Sequence, residues 1–132
     1  MPKFSKRSQD KLNTCHLDIV KVMNEAIKHV DFTVLEGVRS FERQEELVRT
    51  GKSKTLKSKH LPDSYGRSMA IDVIAYPIQW NNNNRNYLFA GFIKGVAASM
   101  GIKLRIGADW DGDFDTNDQN FHDIVHFEIK LD

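Results

Sequence analysis

Residues 69–76 read Met-Ala-Ile-Asp-Val-Ile-Ala-Tyr. The β-prone apolar run predicts a buried strand, yet Asp72 stands in its middle, where an unpaired carboxylate is costly to bury. Any fold that accepts this strand must therefore bring Asp72 a partner. The chain has 132 residues, which points to one domain. With 40% hydrophobic residues and eight Phe, it has enough apolar material for a core and is not disordered. No stretch approaches the roughly 18–20 uninterrupted apolar residues of a membrane helix. The N-terminus, Met1 to Leu12, is basic and polar with no apolar run behind it, so no secretory leader is expected. Cys15 is the single cysteine, which excludes an internal disulfide and a Cys-rich zinc site. A metal would have to be held by His and carboxylates.

Apolar positions Leu12, Cys15, Ile19, Val22, Met23, Ala26, Ile27 and Val30 recur at spacings of three and four, predicting one amphipathic helix over about 8–29 that includes Cys15 and His29. Phe32 to Arg39 reads as a strand. Ser40 can cap a short helix over about 41–50 that stops at Gly51. Residues 51–68 have no apolar period and form a long loop, of the kind that often carries function in small domains. Strand 69–76 follows, then a polar, Asn-rich turn over 77–86 and a helix over 87–100 in which Phe89 and Phe92 are core residues. A strand over 102–106, an acidic loop over 109–120 and a strand over 124–129 complete the chain. This order predicts an α+β fold, a small and largely antiparallel sheet packed against helices, in a single domain spanning 1–132.

The last strand, Ile124 to Ile129, decides which of the five histidines matter. Alternation puts Val125, Phe127 and Ile129 on one face and Ile124, His126 and Glu128 on the other. With the first face on the helices, His126 borders an opposite groove, and Asp123 lies at the mouth of the same strand. A bound metal makes water more acidic and a nearby carboxylate can take its proton, so the pair suits a hydrolytic site. A cation shared with His60 and His126 would also supply the partner that Asp72 needs. Two imidazoles, one carboxylate and an open position describe a catalytic zinc site. The alternative is that each of these groups is satisfied structurally.

Ser58-x-His60 and Ala70-x-Asp72, with Asp123-x-x-His126-x-Glu128 near the C-terminus, resemble the VanY-like zinc peptidases of bacterial cell-wall peptides. That family holds D-alanyl-D-alanine carboxypeptidases and L-alanyl-D-glutamate endopeptidases. Gly37-Val38-Arg39-Ser40, Arg43-Gln44 and Gly107-Ala108-Asp109-Trp110 look most like its small bacteriophage endolysins. The resemblance runs over about 32–129 and implies a hedgehog/D-Ala-D-Ala-peptidase-like fold. It implies His60, Asp72 and His126 as ligands of one zinc ion and Asp123 as the general base. Arg39 would stabilise the oxyanion or hold the substrate carbonyl, and Ser58 and Gln44 would contact substrate or support the ligands. Glu128 shares a face with His126, so it either supports that ligand or stands as an exposed edge carboxylate. One departure stands out. Eleven residues separate His60 from Asp72, more than the family usually has, and Ser68 stands where its pattern has Gly. The extra residues, within 61–67, look able to bulge out as a loop.

The implied function is hydrolysis of peptidoglycan stem peptides at the L-alanyl-D-glutamate bond, causing host lysis. A D-alanyl-D-alanine carboxypeptidase is the first alternative and a non-catalytic cell-wall-binding module the second. The chain is expected to be monomeric, to insert in no membrane, and to wait in the host cytoplasm until a separate pore releases it to the wall. The net charge is only +1, but from Gly107 onward eight acidic residues face Lys130 alone. Within that segment Asp111, Asp113 and Asp115 alternate as oxygen ligands of a calcium loop do, although Thr116 and His122 replace the Gly and Glu of an EF-hand. A solvated acidic turn is the other reading. His122 is expected to point away from the metal. Arg49, Lys52, Lys54, Lys57 and Lys59 lack the interleaved aromatics of a nucleic-acid surface; a solvated face is the first reading, and attraction to an anionic wall or to substrates bearing carboxylates is the functional one.

Overall fold

The computed structural model describes residues 2–117 and 123–131. Its elements are α1 (Lys6–Leu12), α2 (Leu17–Ala26), β1 (Phe32–Glu36), α3 (Phe41–Arg49), β2 (Ala70–Ala75), α4 (Asn83–Ser99), β3 (Leu104–Ile106) and β4 (His126–Ile129). The strands form one sheet in the order β1-β2-β4-β3, and every neighbouring pair is antiparallel. The predicted α+β class and antiparallel sheet are therefore present.

The single helix expected over 8–29 is two helices. Periodicity could not reveal the break, because Leu12, Cys15 and Ile19 are all fully buried and keep the apolar stripe continuous. Caps make the break instead. The Asn13 backbone N–H donates to Gln9 O at the end of α1, and the His16 side chain starts α2 by accepting the Asp18 N–H on Nδ1 at 3.0 Å. Between them Cys15 leaves the helix to form an isolated bridge with Ser68. The His16 N–H donates to Ser68 O at 2.8 Å, and the Ser68 N–H to Thr14 O at 2.9 Å. This junction clamps the end of the long loop just before β2.

Three boundaries also differ from expectation. β1 ends at Glu36 rather than Arg39, after a register shift between Val34 and Glu36. α4 starts four residues earlier, because the Asn82 side chain accepts the Arg85 N–H at 3.1 Å. β4 starts at His126, so the alternation assigned to Ile124 and Val125 does not extend to them.

One face of the sheet packs on α2 and α4, where Ile71, Val73, Phe127 and Ile129 meet Ile19, Val22, Met23 and Ile93 in the core. On the other face, Glu36, Asp72 and His126 lie opposite one another across β1, β2 and β4. The sheet register thus sets three polar side chains in a row across the middle of the molecule.

Candidate metal centre

Asp72 is where this row converges. Its Oδ1 lies 3.1 Å from His60 Nε2 and 3.2 Å from His126 Nδ1. The second nitrogen of each ring is held by a fixed acceptor. His60 Nδ1 sits 2.9 Å from Gly37 O, and His126 Nε2 sits 2.8 Å from Glu128 Oε1. Hydrogen bonds to those acceptors put the proton of each neutral ring on its outer nitrogen. Both inner lone pairs then face the same carboxylate oxygen, an arrangement that requires a proton or a cation between them. The ligand atoms of His60, Asp72 and His126 lie within 4.8 Å of one another, and both imidazoles are buried. The donor set therefore fits a tetrahedral zinc ion with one position left over.

The electrostatics agree. Burial drives the Asp72 carboxyl upward, but hydrogen bonds from His126 and His60 hold it well below the usual carboxylate range. Burial lowers the His126 imidazole, yet its bonds to Asp72 and Glu128 outweigh that and lift it to about 9. Asp123 behaves differently. Burial raises its pKa and the neighbouring Asp72 charge raises it further, against the pull of His126, His60 and Arg39.

Two glycines make the geometry possible. A Cβ on Gly37 would collide with Thr14 Oγ1 and Lys11 O, and one on Gly107 with the Asp123 backbone carbonyl. The first close approach delivers the carbonyl that orients His60. The second seats the Asp123 turn, where the Gly107 N–H donates to His126 O at 2.8 Å.

Arg39, Ser58, His60, Asp72, Asp123 and His126 line one cleft of about 530 Å³. Arg39 is gripped by Glu36 in a two-pronged pair, Nε to Oε1 at 2.7 Å and Nη2 to Oε2 at 2.6 Å. Its Nη1 donates to Gln44 Oε1 at 2.7 Å and Ser58 Oγ at 3.3 Å. Gln44, only 1% exposed, therefore sits behind Arg39 rather than in the cleft. Glu128 is buried against His126 and is not an exposed edge carboxylate.

Residues 61–67 do bulge out as a turn, tied to the α1–α2 junction by Arg67 Nη1, which donates to Cys15 O at 2.6 Å. Asp63 accepts the Tyr65 and Arg67 N–H groups at 2.8 and 3.0 Å, and Pro62 bridges to Ser68 at its base. His60 and Asp72 meet despite the longer spacing.

The acidic loop lies apart from this cleft. Asp111 and Asp113 approach Asp109 rather than Asp115, which corrects the trio expected from alternation. The Oδ1 atoms of Asp111, Asp113 and Asp115 accept the N–H two residues on, in successive turns. His122 lies outside the described residues.

Sequence reasoning missed Glu36, the partner of Arg39, and Trp110, whose ring centroid is 5.4 Å from that of His126. The three-residue spacing of Glu36 and Arg39 was a usable signal, but a straight strand through Arg39 would have separated them onto opposite faces.

Two oriented histidines and a carboxylate converging in an open cleft, with a second carboxylate beside them, define the site of a metal-dependent hydrolase. The family model of the phage L-alanyl-D-glutamate peptidases matches residues 1–130. The L-alanyl-D-glutamate peptidase of Escherichia phage T5 is 30% identical over 138 residues, covering 96% of this chain and 97% of that one. The solved structure of the Serratia marcescens L-Ala D-Glu endopeptidase ChiX shares the fold, with a TM-score of 0.76 and 32% identity over 96% of this chain and 89% of that one. The chain belongs to the phage L-alanyl-D-glutamate peptidase family, and the resemblance drawn from its ligand motifs is borne out.

Proposed function

We propose that the protein is a zinc-dependent peptidoglycan endopeptidase that hydrolyses the L-alanyl-D-glutamate bond of stem peptides. The observation that carries this reading is the convergence of His60 Nε2 and His126 Nδ1 on Asp72 Oδ1, with each ring locked from behind. His60, Asp72 and His126 would hold the zinc. When bound, zinc supplies a Lewis acid that polarises the scissile carbonyl and makes water more acidic.

Asp123 takes the proton from the attacking water and returns it to the leaving amine nitrogen. Its raised pKa suits that double duty, since a base too acidic would not give the proton back. Arg39 offers the Nη2 hydrogen not used by Glu36 to the carbonyl oxygen, and Glu36, Gln44 and Ser58 fix the plane of its fork. Glu128 keeps His126 turned so that Nδ1 faces the ligand position.

Digestion of purified peptidoglycan with and without a chelator, followed by mass spectrometry, tests the reading. New N-terminal D-glutamate that disappears with chelator supports it. Released D-alanine would instead mean a carboxypeptidase, and no product a binding module. No described helix is long and apolar enough to cross a membrane. Storage inside the host followed by release through a separate pore, and action as a monomer, complete the proposal and rest on the phage family alone.

Calcium at the acidic loop is a separate proposal. Asp109, Asp111 and Asp113 would bind it, supported by the buried Asp109 Oδ1, which has no hydrogen-bond partner among the described residues. An unchanged melting temperature in millimolar calcium would discard it.

A further inference from the structure

The cleft contains more positive charge than the residues discussed so far can use. Beside Arg39 it is lined by Arg43, Lys52 and Lys54. Arg39 is matched by Glu36, and Arg43 leans on Glu46 at 3.4 Å. Lys52 and Lys54 are exposed, and among the described residues neither is paired with a carboxylate.

The backbone that carries these two lysines is held by a built support. The N–H groups of Lys52 and Ser53 both donate to Leu47 O, at 2.9 and 3.0 Å, so the loop folds back on the end of α3. The buried Gln44 amide then pins the next residues, donating to Ser53 Oγ at 2.9 Å and Thr55 O at 2.6 Å. Gln44 accepts from Arg39 through its oxygen, so one side chain couples the position of the lysine loop to that of the cleft arginine. Ser53 bonds to Gln44, and Lys52, Ser53 and Lys54 all border the cleft.

Substrate chemistry supplies a matching group. In a stem peptide continued through the γ-carboxyl of D-glutamate, the α-carboxylate is free and sits on the carbon that bears the leaving nitrogen. A cleft that accepts the scissile carbonyl must also accept that carboxylate, a few bonds away, against the repulsion of Asp123. We propose that Lys52 and Lys54 form a subsite for this α-carboxylate and make the enzyme selective for D-glutamyl stems over stems amidated to D-isoglutamine. A site built for a charged group discriminates strongly against the neutral isostere, because its own charges are then left unmatched. The inference rests on the L-alanyl-D-glutamate reading and names which walls that activity favours.

The test compares two synthetic peptides, L-Ala-γ-D-Glu-L-Lys and its α-amide, with zinc-loaded protein. The acid peptide should be favoured in kcat/KM by about tenfold or more. The preference should shrink as salt is raised. Lys52→Gln with Lys54→Gln should bring the ratio near one, chiefly through KM for the acid peptide, while Lys52→Arg with Lys54→Arg retains it. Both positions are exposed, and thermal unfolding of each variant checks that the fold persists. Equal cleavage of both peptides by the unmodified protein, or a ratio that survives the Gln pair, overturns the subsite and leaves the proposed bond standing. Cleavage of neither peptide by protein that digests peptidoglycan without exposing N-terminal D-glutamate overturns both.

Discussion

His60 and His126 each spend one nitrogen on a protein acceptor and present the other to Asp72, so the two rings are supports as much as ligands. Among the described residues, the Asp123 side chain makes no such commitment. Replacing it should therefore separate binding from turnover. Asp123→Ala is expected to keep about one zinc per chain and lose on the order of 10²–10⁴-fold in hydrolysis, whereas His126→Ala loses both. Metal analysis beside a peptidoglycan digestion assay distinguishes them, and near-normal hydrolysis by Asp123→Ala would remove Asp123 from its role. Glu128→Gln is a milder case. It keeps a partner for the ring but not a charged one, and zinc affinity measured against a competing chelator should fall about 10–100-fold.

At the scale of elements, the site depends on close approaches as well as on strands. Gly107 precedes the acidic loop and lies against the Asp123 carbonyl, so Gly107→Ala must push the Asp123 turn away. A loss of about 1–3 kcal/mol in urea unfolding is expected, with a larger relative loss of hydrolysis than of bound zinc. Unchanged hydrolysis would mean that the turn yields without moving Asp123. The same elements show what a sequence can carry. The strand with Asp72, the strand with His126 and the cap at Ser40 were legible because burial and alternation leave a pattern in residue types. The break at Asn13 to His16 was not, since Cys15 stays buried while leaving the helix. Nor was the pairing of Glu36 with Arg39, which depends on β1 ending early. The closeness of His60 and Asp72 across an eleven-residue gap was legible only as one way to give Asp72 a partner, which the family likeness strengthened, because spacing alone does not specify how a loop closes.

For the whole molecule, the site ties stability to pH with a definite sign. Folding raises the His126 pKa from 6.5 to about 9, so its contribution is complete below 6.5 and is lost as pH climbs through 9. Asp72 acts at the other end. Held below its ordinary 3.8, it contributes above that value and the contribution fades as the solution is acidified further. Metal-free protein should thus melt at a lower temperature at pH 9 than at pH 6.5, by on the order of 5 °C. Zinc requires neutral imidazoles, so the gap between loaded and chelated protein should widen over the same interval. A chelated protein whose melting temperature holds level would contradict this. The buried junction before β2 has a different use. Cys15 is wholly enclosed there, and burial pushes its thiol up to about 12. The folded chain is therefore silent toward thiol reagents. A cysteine introduced at Lys54 could carry a fluorophore without competition, and modification of Cys15 itself would time the opening of the α1–α2 junction.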